Sequence, residues 1–85
     1  MELRQALSYY LSDPTGDLAV DLPRAAQEAA RWRKEGPQAT AAVLRAMRDQ
    51  LGMTYEQIES ASFNPTADAK ISKSTAERLV NAKTT

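Results

Sequence analysis

The sequence contains neither cysteine nor histidine, two residues on which much protein chemistry depends. Without cysteine the chain has no disulfide and no thiolate metal ligand, and without histidine it lacks the commonest general base. The carboxylates are scattered without a metal-ligand spacing, and there is no glycine-rich phosphate loop. We therefore expect no catalytic residue, metal site, cofactor or small-molecule substrate, which argues against an enzyme.

Long apolar runs and targeting segments are also missing. The sequence has no apolar run of about 18 residues and no signal-peptide pattern. These absences predict a cytoplasmic protein that does not enter a membrane. A chain of 85 residues is expected to form one domain, residues 1–85. Because a domain this small buries only about 60–65% of its unfolded surface, we also expect a homodimer.

The formal net charge is zero, with 11 basic and 11 acidic side chains, but the charges are unevenly distributed. Residues 1–21 contain one arginine and four carboxylates, for a net charge of −3. Residues 70–85 contain four basic side chains and one glutamate, for a net charge of +3. The basic C-terminal end favours a surface that meets phosphate, although ends of opposite sign are also able to pack together.

Apolar residues recur at helical spacing, and no segment alternates for long enough to predict a strand. The pattern predicts an all-α fold, a small bundle of about five helices near residues 2–12, 22–35, 37–51, 54–61 and 72–82. Residues 18–22 alternate briefly and are interpreted as an extended lead-in, with Pro23 in the first turn of the second helix. The predicted core residues are Leu3, Leu7, Leu11, Leu22, Val43, Leu44, Met47, Leu51, Ile58, Ile71, Leu79 and Val80.

Capping residues mark the helices of the C-terminal half. Gly52 is expected to end the third helix in a left-handed conformation. Thr54 and Gln57 have the spacing of a capping box at the start of the fourth helix. Either Ser72 or Ser74 is expected to cap the fifth helix, and Ser74 heads a second capping-box pattern.

Two segments of this half have the pattern of a supporting helix followed by an exposed one. They are residues 43–58, VLRAMRDQLGMTYEQI, and residues 71–79, ISKSTAERL. The pattern resembles the helix-turn-helix of the phage-repressor-like and sigma-factor region 4 DNA-binding families. The resemblance implies sequence-specific binding of double-stranded DNA by a small transcription regulator, such as a repressor, of bacterial, plasmid or phage type.

A regulator of this kind would divide the domain in two, and one of its segments departs from the family pattern. Residues 37–85 would bind DNA, and residues 1–35 would brace the fold or dimerise. Residues 62–70 stand where the family has a turn of about three residues, so the helix-turn-helix has a lengthened turn, and that turn has no glycine. We expect this turn to be mobile or irregular, with Phe63 packed into the core. Glu59 stands where the family usually has an alanine.

The fifth helix carries the residue types that read DNA grooves. Arginine pairs with guanine, asparagine pairs with adenine, and lysine supplies charge to phosphates. A helix start such as that at Thr54 offers donors to a phosphate. The predicted DNA-binding residues are Thr54, Tyr55, Lys70, Ser72, Lys73, Ser74, Thr75, Arg78 and Asn81.

A second interpretation is a protein-interaction module, such as an antitoxin, an adaptor or a sigma-interacting protein, that does not bind DNA. The zero net charge and the lengthened turn favour it. The aromatic residues Tyr9, Tyr10 and Trp32 are interpreted as core or dimer contacts in preference to base-stacking platforms. A salt titration with random duplex DNA distinguishes the two interpretations, because only a DNA binder loses affinity steeply as salt rises.

Overall fold

Five α-helices make up most of the part of the chain that the structure describes, which is residues 2–32 and 37–81. In this computed structural model the helices of those residues are α1 (Leu3–Tyr10), α2 (Leu18–Trp32), α3 (Pro37–Leu51), α4 (Tyr55–Ala61) and α5 (Lys73–Asn81). The predicted all-α bundle is confirmed, and α3 has the predicted bounds. The predicted ends of the second and fifth helices, at residues 35 and 82, lie outside the described residues.

The start of α2 differs from the sequence-based prediction. Residues 18–22, predicted as an extended lead-in, form the beginning of the helix. Asp17 caps it, because its Oδ1 accepts the Ala19 N–H at 3.0 Å and its carbonyl accepts the Asp21 N–H at 2.8 Å. Pro23 consequently lies inside α2 and not in its first turn, and its ring removes one N–H donor there. The hydrogen bonds of the Asp17 cap thus favour a helix over the extended conformation that the short apolar alternation of residues 18–22 suggests.

Asp21 of α2 binds the connection between α1 and α2 by hydrogen bonds. Its buried carboxylate accepts the Thr15 N–H at 3.0 Å, the Thr15 hydroxyl at 2.8 Å and the Gly16 N–H at 3.0 Å. Gly16 has φ +88°, a left-handed conformation that glycine adopts without strain. The hydrogen bond from the Thr15 backbone is the largest cause of a pKa of Asp21 below its ordinary value, and it outweighs burial. The carboxylate is therefore held in its charged form.

α3 is the central helix and packs against the four other helices. Nine of the twelve predicted core residues are buried, whereas Leu3, Leu51 and Leu79 are partly buried and pack against them. Small residues absent from that prediction complete the core and let the helices approach closely. They are Ala6, Ala25, Ala26, Ala29, Ala39, Ala46 and Ala76.

The two tyrosines of α1 have different environments. Tyr10 packs partly buried against the core, and its hydroxyl lies 2.6 Å from that of Thr40 in α3. Burial raises the pKa of Tyr10 above its ordinary value. Tyr9 meets the ring of Tyr10 edge-on but is 52% exposed. Tyr10 is thus a core contact and Tyr9 a surface residue, while the side chain of Trp32 lies outside the described part of the chain.

The connection between α4 and α5, residues 62–70, is irregular but extensively hydrogen-bonded. Asn64 and Ala69 exchange backbone hydrogen bonds of 2.7 and 3.2 Å, which close the residues between them into a tight turn. Ser62 is buried, and its hydroxyl accepts the Ile71 N–H at 2.8 Å. Because Ile71 is itself buried, this bond determines where the chain leaves the turn and enters α5.

Asn64 anchors the turn to the rest of the protein. Its side-chain oxygen accepts the N–H of Thr66 at 3.0 Å and of Ala67 at 3.1 Å, and its amide donates to the Gln27 carbonyl at 3.0 Å. The prediction that Phe63 packs into the core is wrong, because that side chain is 46% exposed. Asn64 is the anchor because the backbone groups of a turn need polar partners, which a phenyl ring does not supply.

Candidate nucleic-acid interface

α5 begins after Ser72, one of its two predicted caps. The Ser72 hydroxyl accepts the Thr75 N–H at 3.3 Å and lies 2.9 Å from the Thr75 hydroxyl. The Ser72 carbonyl accepts the Ala76 N–H at 2.8 Å. Ser74 lies inside α5, so the prediction of a capping box headed by Ser74 is wrong. The helix starts earlier because Ser72 directly follows the buried Ile71.

The two faces of α5 differ in burial. Ala76 and Val80 are buried, and Leu79 is partly buried. Ser72 and Thr75 are also partly buried, since they form the cap. Packing against α3 and α4 covers the apolar face, so the opposite face is the one available to a ligand. Its exposed residues are Lys73, Ser74, Glu77, Arg78 and Asn81.

The predicted capping box at the start of α4 is confirmed. The Thr54 hydroxyl accepts the Gln57 N–H at 3.2 Å, and the Gln57 side-chain oxygen accepts the Thr54 N–H at 2.9 Å. The Thr54 N–H is thus used within the protein, and its hydroxyl retains its own proton and one lone pair for a ligand. Gly52, just before this cap, has φ +66° as predicted for the residue that ends α3.

The hydroxyl of Tyr55 connects three helices. Arg48 Nη1 of α3 donates to it at 2.9 Å, and Asn81 Nδ2 of α5 donates to it at 3.3 Å. The bond with Tyr55 is the largest cause of a raised pKa of Arg48, so the guanidinium stays charged. We call Arg48, Tyr55 and Asn81 the Tyr55 cluster. Sequence reasoning included Tyr55 and Asn81 in the site but missed Arg48, because the angle between α3 and α4 leaves no signal in the sequence.

Both lysines predicted to bind phosphates are paired with glutamates of α4. Lys73 Nζ lies 3.2 Å from Glu56 Oε1, and Lys70 Nζ lies 3.3 Å from Glu59 Oε2. All four side chains are accessible to solvent, so each pair contributes only about 0–1 kcal/mol to stability. The structure therefore brings the lysines to the edge of α5 but partly neutralises them.

The two arginines nearest the end of α5 have different roles. Arg78 is exposed and belongs to none of the ion pairs found among residues 2–32 and 37–81. Arg45 of α3 directs Nε to the Val80 carbonyl at 3.3 Å. A cation at this position complements the negative end of the helix dipole. Arg45 thus holds α5 in place, while the guanidinium of Arg78 is available to a ligand.

The rest of the described surface offers less distinctive chemistry. A polar cleft between α1 and α2 contains the exposed ion pair of Arg24 with Asp13, 3.2 Å apart. Among the residues that the structure covers, no group of three or more histidine, cysteine, aspartate or glutamate side chains is arranged to hold a metal ion. Nor does any helix in that part of the chain have the length and apolar character needed to cross a membrane.

Comparison with known proteins identifies no relative of this chain. No protein-family model matches it, and no curated protein or solved structure is significantly similar to it. The resemblance to helix-turn-helix proteins therefore depends on the residues of the two segments 43–58 and 71–79.

Proposed function

We propose that this protein binds double-stranded DNA sequence-specifically and acts as a small transcription regulator. The observation that carries the proposal is the exposed polar face of α5, a helix whose opposite face is held by α3 and α4. The major groove admits one α-helix presented in this way. A regulator of bacterial, plasmid or phage type, such as a repressor, acts in the cytoplasm, where that DNA lies.

The residues of this face divide by chemistry into base readers and phosphate contacts. Arg78 has a free guanidinium that suits the two acceptors of guanine. Ser74, four residues earlier, lies on the same side of the helix and bonds either a base or a phosphate. Glu77 accepts from cytosine, the one base contact that suits a carboxylate. Lys70 and Lys73 exchange their glutamate partners for phosphates, which gain from counterion release.

The charge balance favours a second function, in which the same surface binds a protein. Residues 37–81 contain five basic and five acidic side chains, and Glu56 and Glu59 partly neutralise the two lysines beside α5. DNA-binding surfaces normally carry an excess of positive charge, whereas a polar rim of mixed character is usual in protein interfaces. An antitoxin, an adaptor or a sigma-interacting protein would use the surface in this way.

Two variants measured on two DNAs test the proposed function. The DNAs are a duplex that the protein selects from a random pool and a random duplex of equal length. Arg78→Ala should lose about 1–3 kcal/mol of binding free energy on the selected duplex and little on the random one. Lys73→Ala should weaken binding to both duplexes about equally and lower the salt slope by about one.

The outcomes separate the two functions. Equal losses on both duplexes by both variants would show that α5 does not read sequence. No binding of the wild-type protein to any duplex at low salt would exclude DNA binding and favour the interaction module. Both side chains are exposed, so circular dichroism should show an unchanged fold in each variant.

We also infer that the protein is a homodimer built on α1 and α2. Tyr9 and Val20 are large apolar residues on these helices and are 52% and 44% exposed. Neither α1 nor α2 contacts α5, so a dimer formed there leaves the DNA-binding face uncovered. Two copies of α5 would then be able to read half-sites about 34 Å apart.

Sedimentation velocity with an apolar-to-polar double variant tests the dimer. Tyr9→Ser with Val20→Ser should weaken self-association more than about tenfold, because both side chains lose apolar burial. Phe63→Ser is the matched control, since Phe63 is a similarly exposed apolar residue in the 62–70 connection. A wild-type protein that sediments as a monomer at high micromolar concentration, with and without DNA, would contradict the inference.

A further inference from the structure

We propose that the Tyr55 cluster is a phosphate clamp, in which Arg48, Tyr55 and Asn81 together hold one phosphodiester of the DNA backbone beside α5. The clamp rests on the proposed DNA-binding function and adds Arg48 to the interface, a residue that the helix-turn-helix pattern does not mark. Because the cluster joins α3, α4 and α5, a phosphate bound to it would determine how α5 lies on the duplex.

The Tyr55 hydroxyl uses its acceptor positions within the protein and keeps its donor position for a ligand. A phenol oxygen donates one proton and accepts at two lone pairs. Arg48 Nη1 and Asn81 Nδ2 occupy the two acceptor positions at 2.9 and 3.3 Å. The O–H proton consequently points away from both donors, and it has no acceptor among the described residues. It is available to a ligand that accepts hydrogen bonds.

The other members of the cluster add donors beside that proton. A guanidinium has five N–H groups, and Arg48 directs one of them to Tyr55, while its Nε lies 3.4 Å from Asp49 Oδ1. Its remaining N–H groups and the second N–H of Asn81 are unused within the cluster. Donors gathered around a positive charge select an anionic acceptor. Asp49 is 56% exposed, so its contact with Arg48 competes weakly with a phosphate.

The origin of the side chains argues for the DNA backbone as the source of that anion. Arg48 and Tyr55 come from the two helices that pack against α5, and Tyr55 bonds with Asn81, one of the exposed residues of α5. Side chains beside a recognition helix contact phosphates, which position the protein without reading sequence. Asn81, which its residue type alone assigns to adenine, directs an amide N–H to Tyr55 and therefore belongs with the backbone contacts.

Salt titrations with three variants test the clamp. Arg48→Gln should lower the salt slope of binding to random duplex DNA by about one, as expected for one lost phosphate contact. Arg48→Lys keeps the charge but loses the planar donor, so it should keep the slope and weaken binding roughly twofold to tenfold. Tyr55→Phe removes only the hydroxyl and should weaken binding to selected and random duplexes by the same factor.

Arg4→Gln is the matched control for charge. It removes one positive charge from an exposed side chain of α1, which contacts neither α4 nor α5, and it should leave the salt slope unchanged. A slope for Arg48→Gln equal to that of the wild type, or to that of a similarly altered Arg4→Gln, overturns the clamp and leaves DNA binding by α5 in place.

Two further measurements keep the outcomes distinct. Wild-type protein without salt-dependent DNA binding would overturn the proposed function and the clamp together. Thermal unfolding of each variant distinguishes lost binding from a lost fold. If Tyr55→Phe does not fold, the two Arg48 variants decide the test, because the Arg48 side chain is exposed and its replacement leaves the core intact.

Discussion

At the scale of single residues, the buried polar side chains connect the parts of the molecule. Asp21, Thr40, Ser62 and Asn64 are buried, and no buried side-chain nitrogen or oxygen in the described part of the chain is without a hydrogen-bond partner. Each of the four bonds across a connection or between two helices. Losing one therefore removes a tertiary contact as well as a hydrogen bond.

Asp21 should make stability depend on pH. The pKa of Asp21 in the folded protein lies below its ordinary value, so the charged carboxylate stabilises the fold. This stabilisation is fully present above the pKa that Asp21 has in the unfolded chain, about 4. That contribution is lost as the pH falls through the lower folded-state pKa. Asp21→Asn should therefore unfold at a lower temperature than the wild type at neutral pH, and the difference should narrow below about pH 4. Circular dichroism melts at several pH values measure it.

Asp13→Asn is the control for this experiment, because Asp13 is an exposed carboxylate with an 81% accessible side chain. Its melting temperature should follow the wild-type value across the same pH range. If the deficit of Asp21→Asn has the same size at every pH, the ionised form of Asp21 is not what stabilises the fold.

Leu44 tests the position of α3 in the core. It is completely buried on the central helix, so Leu44→Ala should reduce the free energy of unfolding by about 2–5 kcal/mol. Leu44→Met keeps most of the volume and should cost less than about 1.5 kcal/mol. Chemical denaturation of both variants measures the two costs, and a cost near zero for the alanine variant would refute the burial.

At the scale of elements, the 62–70 connection determines the placement of α5. The Ser62 hydroxyl donates to the Glu59 carbonyl of α4, and the Asn64 amide donates to the Gln27 carbonyl of α2. The Ser62 hydroxyl also accepts the Ile71 N–H just before α5. A loop of this length adds little closure entropy relative to a short turn, so the lengthened connection is compatible with two packed helices. Its role is therefore to position α5.

Asn64→Ala should disrupt this connection. It removes one bond to α2 and two bonds within the turn, so we expect a loss of about 1–3 kcal/mol in the free energy of unfolding. The amides of Thr66 and Ala67 should then exchange faster with deuterium, and chemical denaturation together with hydrogen exchange measures both effects.

Thr66→Ala is the matched control, since Thr66 is exposed and only its backbone N–H bonds to Asn64. It should change neither stability nor exchange appreciably. Wild-type amides at Thr66 and Ala67 that already exchange at the rate of an unfolded chain would show that Asn64 does not hold the turn in solution.

At the scale of the whole molecule, the balance of charge limits the proposed binding to DNA. The net charge is zero, so the long-range attraction of the protein to a polyanion is weak. The attraction to DNA therefore has to come from the basic side chains close to α5. Glu56 and Glu59 lie beside the lysines at the edge of α5 and reduce that local attraction.

Glu56→Gln should therefore raise the affinity for random duplex DNA. The change removes a carboxylate that repels phosphate and that Lys73 has to leave before it binds one, so the affinity should rise while Lys73 keeps its contribution to the salt slope. The cost in stability should be no more than about 1 kcal/mol, since the pair is exposed. Fluorescence anisotropy at several salt concentrations measures affinity and slope together.

Asp13→Asn is a matched control for this charge as well. It breaks an ion pair of the same length, 3.2 Å, with Arg24 of α2, a helix that does not contact α5. It should change the affinity for DNA much less than Glu56→Gln does. Equal gains from the two variants would mean that only net charge matters, and that Glu56 has no local effect at α5.

The sequence by itself determined the helices of this protein and most of its caps. The apolar spacing predicted the all-α bundle and the burial of residues such as Leu44 and Ile58. The structure also has Gly52 in the predicted left-handed conformation after α3 and Thr54 at the predicted cap of α4. These features depend on side chains within about four positions along the chain, so they leave a local pattern. The start of α2 was mispredicted because the capping role of Asp17 was not recognised.

Only the tertiary structure decided which side chains meet around α5. The bonds of Tyr55 with Arg48 and Asn81, and the pairing of Lys73 with Glu56, join residues between 7 and 26 positions apart in the sequence. Such contacts depend on how α3, α4 and α5 cross, which is determined by the packing of the whole core. The residue types of the proposed DNA-binding face are therefore visible in the sequence, whereas its charge partners and the Tyr55 cluster exist only in the folded molecule.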